Sequence, residues 1–334
     1  MITNERIPSS FEFTFENILE SRTPHRQSPA DDEDSESLVS SARDFPERFG
    51  RTYHAYKDGA YVFPNDDNER ARMEYLGQRI ISEILDGRLH LAPFSRGCPP
   101  KRVLDVATGT GDWVTQMGDR YPTAYVEGID LSPIQPQIVP PNVQFFVQDA
   151  SEPWEYRQPF DYIHTRMTLG SFSDFKTEVI QQAFDALEPG GWLESLDAKS
   201  MIQCDDGTLD PDSPIAHWSH DINTASEIIG KPLSVAHHLK TWFEEVGFVD
   251  VHEQVYKLPM NGWPTDPFWS GIGKMSEQNL LQGLDGFSLG LLHKAFGRTP
   301  EEIRVALVDT RKDIQNTDIH AYQMLYVVWG RKPG

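Results

Sequence analysis

The sequence predicts an α/β domain built on a mostly parallel, doubly wound sheet. Three observations carry that reading. From Lys101 onward, short apolar runs alternate with helical stretches. The first run, Val103-Leu-Asp-Val-Ala-Thr-Gly-Thr-Gly111, ends in a glycine loop. Acidic residues, Asp130 and Asp149, close the next two runs at equal spacing, 19 residues after Gly111 and 19 after Asp130.

The elements follow in order. Residues 1–48 read as a disordered acidic tail, because Asp31, Asp32, Glu33, Asp34 and Glu36 stand among serines with little to bury. Residues 49–100 read as an N-terminal cap. Its helix, predicted over 68–91, shows Met73, Leu76, Ile80, Ile81, Ile84 and Leu85 at helical spacing. Strands are predicted at 102–107, 124–130, 143–147, 160–164 and 192–198. A helix over 177–187 precedes the fifth and is stopped by Glu188-Pro-Gly-Gly191. The stretch after the fifth strand reads as loop-rich. A helix over 235–246, closed by Gly247, leads to a sixth strand over 248–257. Three helical stretches between Pro267 and Ile314 form an insertion at about 260–320. A closing strand over 322–330 completes a main domain of residues 101–334.

Composition narrows the function. With 30 basic and 51 acidic residues the formal charge is −21, a surface that repels a phosphate backbone, so nucleic acid is excluded as a partner. The two cysteines, Cys98 and Cys204, form neither a CxxC pair nor a zinc spacing. No segment reaches the roughly 18 apolar residues of a membrane span, and the start lacks an apolar signal core. No metal site is expected. These features imply a soluble intracellular protein, cytoplasmic in the first reading and nuclear in the alternative.

The glycine loop points to the cofactor. A dinucleotide loop directs a helix N-terminus at a pyrophosphate. Here Asp112 follows Gly111 and would repel phosphate, whereas Asp105 and Asp112 suit a cationic ligand such as S-adenosylmethionine (SAM). Asp130 at a strand end suits a ribose diol. Asp149 suits the exocyclic amine of adenine. Leu131 and Ala150, next to these acids, and Gly109 and Gly111 complete the expected cofactor set.

On these residues the chain resembles the fungal LaeA-like (Tam-domain) methyltransferases of class I. The similarity runs through Tyr53-His-Ala-Tyr-Lys-Asp-Gly59, Leu89-His-Leu-Ala-Pro93, the glycine loop, Gly128-Ile-Asp-Leu-Ser-Pro-Ile-Gln-Pro136, Pro140-Pro-Asn-Val-Gln144, Glu152-Pro-Trp154, Phe160-Asp-Tyr-Ile-His-Thr-Arg166 and Tyr326-Val-Val-Trp-Gly-Arg-Lys-Pro333. It implies a Rossmann-like seven-stranded sheet with an N-terminal helical cap and a helical insertion before the last strand. It also implies SAM as cofactor, Asp105 near its amino group, and a role in secondary metabolism or development. Some relatives act as regulators that pair with velvet-type proteins and others lie in biosynthetic clusters; the first expectation for this chain is methylation of a small molecule on oxygen or nitrogen, the alternative a regulator with such a partner. The sequence departs from the class pattern at Ala107, where the first loop glycine is usual.

Candidate roles beyond the cofactor are fewer. His164, at the end of strand four, is a candidate general base, against a packed, hydrogen-bonded histidine. Arg166 suits a substrate carboxylate or a structural acid. Tyr53 folds over the cofactor or packs the cap. His217, Trp218 and His220 are candidate acceptor contacts. Methyl transfer to a small-molecule acceptor is an in-line displacement with a good leaving group, so positioning dominates.

Overall fold

The computed structural model describes residues 41–94 and 99–334. The acidic run at 31–36 and Cys98 lie outside the described residues. Structure is already built between positions 41 and 48, inside the stretch read as tail. Ala42 is buried, and β1 (Glu47–Arg48) pairs antiparallel with β2 (Arg51–Thr52).

Two helices of the cap, α1 (Asp67–Arg72) and α2 (Gln78–Ile84), are joined by a π-helical turn, Met73–Gly77. Asp66 caps α1 by accepting the Glu69 N–H. The central sheet takes β3 (Arg102–Val106), β4 (Tyr125–Asp130), β5 (Val143–Val147), β6 (Phe160–Arg166), β7 (Leu187–Gln203), β8 (Val249–Pro259) and β9 (Tyr322–Arg331). Their spatial order is β5-β4-β3-β6-β7-β9-β8, parallel except for β9, which runs antiparallel between β7 and β8.

The strands read as continuous apolar runs because both sheet faces are covered. Along β3, Leu104 and Val106 pack on one face with Ile163 and Phe243. Val103 packs on the other with Trp113 and Met117 of α3 (Asp112–Arg120). Helix α4 (Gln182–Ala186) follows a π turn, Lys176–Gln181. The Glu188-Pro-Gly-Gly191 stop does end that helix, but the chain passes directly into β7, which extends five residues beyond the expected end in both directions. Helix α6 (Leu239–Val246) ends at Gly247 in the left-handed region, φ 112°.

Two sequence expectations change. The stretch after β7 is not loop-rich: Pro214–Ile228 is helix α5, capped by Ser213 with Pro214 in its first turn. Ile215, Trp218, Ile222 and Ala225 recur at helical spacing and are buried in one cluster with the insertion. The insertion is two helices, not three. Helix α7 (Pro267–Phe296) runs 30 residues from its Asp266 cap, and α8 (Pro300–Gln315) starts with a Thr299–Glu302 capping box. Its glycines suggest breaks but serve close packing. A Cβ at Gly290 would lie 2.5 Å from the Val62 carbonyl oxygen, so only glycine lets α7 lie against the cap. Among the described residues no helix is long and apolar enough to cross a membrane.

Candidate functional site

At the end of β3 the chain turns through three left-handed residues, Ala107 (φ 55°), Gly109 (φ 58°) and Gly111 (φ 79°), before α3 begins. Left-handed backbone costs a Cβ-bearing residue about 1–2 kcal/mol, so Ala107 carries strain that a glycine there would lack. Gly111 has a steric reason as well: a Cβ would sit 2.5 Å from the Phe145 ring. The loop is thereby pressed toward β4, where Asp130 meets it. The Gly109 N–H donates to Asp130 Oδ2 at 2.8 Å, and the Ser132 N–H to Oδ1 at 2.9 Å. Each carboxylate oxygen keeps a lone pair. Burial raises the Asp130 pKa to about 6, opposed by those amides and aided by nearby Asp105.

Asp105 is held from two sides. Thr108 Oγ1 donates to its Oδ2 at 2.6 Å, and His164 Nδ1 stands 2.7 Å from its Oδ1. The His164 ring is stacked on Trp113, with centroids 3.8 Å apart and planes 6° from parallel. Burial lowers its pKa, against the pull of Asp105. The ring is therefore neutral and Nδ1–H donates to the carboxylate.

One cavity of about 310 Å³ opens along the carboxyl ends of the strands. At one end lie Asp105, Gly109, Asp130, Leu131, Asp149 and Ala150. Asp112 and Arg166 also line it. At the other end the walls are apolar and aromatic, with Phe63, Met73, Trp218, Leu280 and Phe287 drawn from the cap, α5 and α7. Glu69 pairs there with Arg72, which also donates to Asn279 Oδ1 at 2.6 Å, and with Arg51 at 4.0 Å.

Other sequence candidates fall elsewhere. His164 is buried and does not line the cavity: its ring is engaged with Asp105 and Trp113, which favours the packed, hydrogen-bonded histidine over the general base. Tyr53 is buried but points away, its ring edge against Gly290 of α7. His54 and Tyr61 from the same segment line the cavity instead. Of the α5 trio only Trp218 faces inward, donating from Nε1 to Ser288 at 2.9 Å; His217 and His220 face outward, because positions 217 and 220 fall on the opposite side of the helix. Gly111 shapes the loop without lining the cavity.

Asp149 is more occupied than its sequence position suggests. Ser151 donates to its Oδ1 from both amide (2.9 Å) and hydroxyl (2.6 Å), and Lys57 of the cap pairs with Oδ2 at 3.0 Å and with Glu152. Burial pushes this carboxyl up, but the Ser151 donors and Lys57 outweigh burial and hold it below its ordinary value. Sequence reasoning also missed Glu194. Buried in β7, it accepts the Leu91 and Ala92 amides at 2.7–3.0 Å and so pins the Leu89–Pro93 motif of the cap to the sheet. Burial raises its pKa to about 7.

The donor set tests the cofactor. A ribose diol needs paired acceptors, which Asp130 supplies. A sulfonium with an ammonium needs carboxylates and no phosphate cradle, which Asp105 and Asp112 supply. Sheet order and site together define a class I SAM-dependent methyltransferase.

Sequence relatives agree. A methyltransferase-domain family matches residues 71–253. The methyltransferase pytC of Aspergillus terreus is 38% identical over 309 residues, covering 91% of this chain and 94% of the relative. The secondary metabolism regulator LAE1 of Cochliobolus heterostrophus is 34% identical (85% and 94% covered), and the probable methyltransferase tdiE of Emericella nidulans 34% (80% and 82%). Among solved structures, the Haemonchus contortus phosphoethanolamine N-methyltransferase 2 in complex with SAM aligns at TM-score 0.45 and 18% identity, over 83% of this chain and 55% of that one. The chain belongs to the LaeA-like family of class I methyltransferases.

Proposed function

We propose that this methyltransferase acts on the oxygen or nitrogen of a small molecule in a secondary-metabolite pathway. The observation that carries this reading is the continuity of one cavity, with carboxylates at the cofactor end and apolar and aromatic walls at the other. Such a chamber suits a compact acceptor with a largely apolar body. Asp130 takes the ribose diol, Asp149 and Ala150 the adenine edge, Leu131 the ribose face, and Asp105 the ammonium group. SAM supplies a methyl group on a sulfonium, and these side chains orient it toward the chamber and keep water out. The names of pytC and tdiE support an enzymatic role. The test is calorimetry with SAM, followed by label transfer from methyl-labelled SAM to a panel of fungal phenols, acids and amines. Absence of SAM binding overturns the reading.

A second reading, a regulator acting through a velvet-type protein partner, draws on the regulator names of LAE1 and the laeA relatives. A pull-down with the full chain and with residues 1–40 removed separates the two. The cytoplasm is the proposed location, and a nuclear pool belongs to the second reading.

A further inference from the structure

Arg166 is the group the cofactor assignments leave unused. It ends β6, where the preceding Thr165 pairs with Val106, so its backbone stands beside Ala107 at the joint between the two halves of the cavity. Met167 follows in the left-handed region, φ 52°, and Thr168 is tied to Asp197 through its amide (3.1 Å) and hydroxyl (2.8 Å). The position is therefore rigid. The guanidinium lines the cavity and makes no hydrogen bond or ion pair with any described residue. Its nearest charges are Asp105 and Asp112, felt only at a distance, and burial pulls its pKa down without neutralising it. Arg166 is half-buried on the cavity wall, so its charge is left to solvent or to a ligand that brings an anion.

The acceptor half also lacks a free base among the described residues. His164 is engaged with Asp105, and His54 Nε2 accepts the Tyr61 N–H at 3.2 Å. Glu69 is chelated by Arg72, and Asp197 is spent on Thr168 and Ala198. Asp112, the other carboxylate beside Arg166 on the cavity wall, accepts from Thr110 Oγ1 and is assigned to the cofactor end, so an alcohol in the acceptor half meets no free group to take its proton. A carboxylate needs none, because it arrives ionised at neutral pH.

Resting on the reading given under Proposed function, we propose that the acceptor is a carboxylic acid with an apolar body, held by Arg166 and converted to its methyl ester. A carboxylate oxygen lone pair forms the new O–C bond to the methyl group. The C–S bond breaks and its electrons return to sulfur, giving S-adenosylhomocysteine (SAH). No proton is released and no further reactant is required. Arg166 grips one carboxylate oxygen and leaves the other facing the methyl group.

The test uses the full chain saturated with SAH and two probes of equal shape, 2-naphthoate and 2-naphthamide, titrated by calorimetry. The wild type is expected to prefer the carboxylate by about ten-fold or more. Arg166→Gln is expected to abolish that preference with SAH affinity changed by less than about three-fold, and Arg166→Lys to retain part of it. Three results overturn the proposal: no preference in the SAH-bound wild type, a preference that survives Arg166→Gln, or a ten-fold loss of SAH affinity in Arg166→Gln. The last would show that the anion is the cofactor's own carboxylate. If Arg166→Gln does not fold, the Arg166→Lys preference decides, since a charge-blind value there also overturns the proposal. Failure of the wild type to bind SAH at all sinks the methyltransferase reading itself, which separates the two claims.

Discussion

Replacing Asp130 with asparagine isolates the charge at the cofactor end of the cavity. The carboxylate accepts the Gly109 and Ser132 amides and retains a lone pair on each oxygen for the ribose hydroxyls. Asparagine offers one acceptor oxygen and turns an NH2 group toward one of those amides. Hydrogen bonds to a charged acceptor contribute about 1.5–3 kcal/mol and neutral ones about 0.5–1.5. The variant should therefore lose about 1.4–3 kcal/mol of SAH binding, a ten- to hundred-fold rise in Kd. Stability of the ligand-free protein should move much less. Burial already raises the Asp130 pKa to about 6, a shift of about two units, so ionised Asp130 costs the free fold about 3 kcal/mol at neutral pH. The substitution removes this cost while weakening the amide bonds by a similar amount. Calorimetry with SAH measures the first quantity and thermal melting the second. An SAH affinity unchanged within about two-fold would refute the ribose assignment. A melting temperature that collapses together with binding would show that Asp130 holds the loop and not the ligand.

Four further outcomes follow. Burial raises Asp130 and Asp197 to about 6 and Glu194 to about 7. In the unfolded chain they titrate near 4, so in the native state these three groups bind more protons between those values, and their contribution to stability falls as pH rises from about 4 to about 7. His54, His90, His164 and His237, which burial lowers, act in the opposite sense over the same range, so the test is the ligand increment: the rise in melting temperature added by SAH should shrink at pH 5.5 as Asp130 protonates, and an increment equal at pH 5.5 and 7.5 contradicts a raised Asp130 beneath the ligand. Ala107→Gly should raise stability by up to about 1 kcal/mol, the relief of φ 55° less the entropy glycine adds to the unfolded chain; a fall in melting temperature would mean the methyl group packs usefully. His164→Leu removes the Nδ1 donor to Asp105 and should cost about 1–3 kcal/mol of stability with weaker SAH binding. Label transfer to any acceptor by His164→Gln, at a rate within ten-fold of wild type, would confirm that no proton passes through this ring.

Much of this was legible in the chain. Strands buried on both faces give apolar runs, and β3, β4, β5 and β9 fall within a residue or two of where those runs predict them. The loop glycines and Asp130 were legible because backbone approach and strand-end acids are written as residue types at fixed spacing. Less legible were α5, whose buried positions 215, 218, 222 and 225 follow the acidic, proline-bearing stretch Asp210-Pro-Asp-Ser-Pro214, and α7, whose glycines imitate helix breaks.

The sequence by itself determined the class of fold and the acidic residues that gather at the strand ends, since each depends on local pattern or on the order of elements. Only the tertiary structure decided which side chains are free to act. His164 and Arg166 lie two residues apart on one strand, yet the first is consumed by Asp105 and Trp113 while the second faces the cavity without a partner. Asp149 is likewise met by Lys57, 92 positions earlier in the sequence. Such pairings join residues far apart in the chain, and no local periodicity records them: hydrogen-bond capacity is allotted only when the cap, the sheet and the helices α5 and α7 close around the same space.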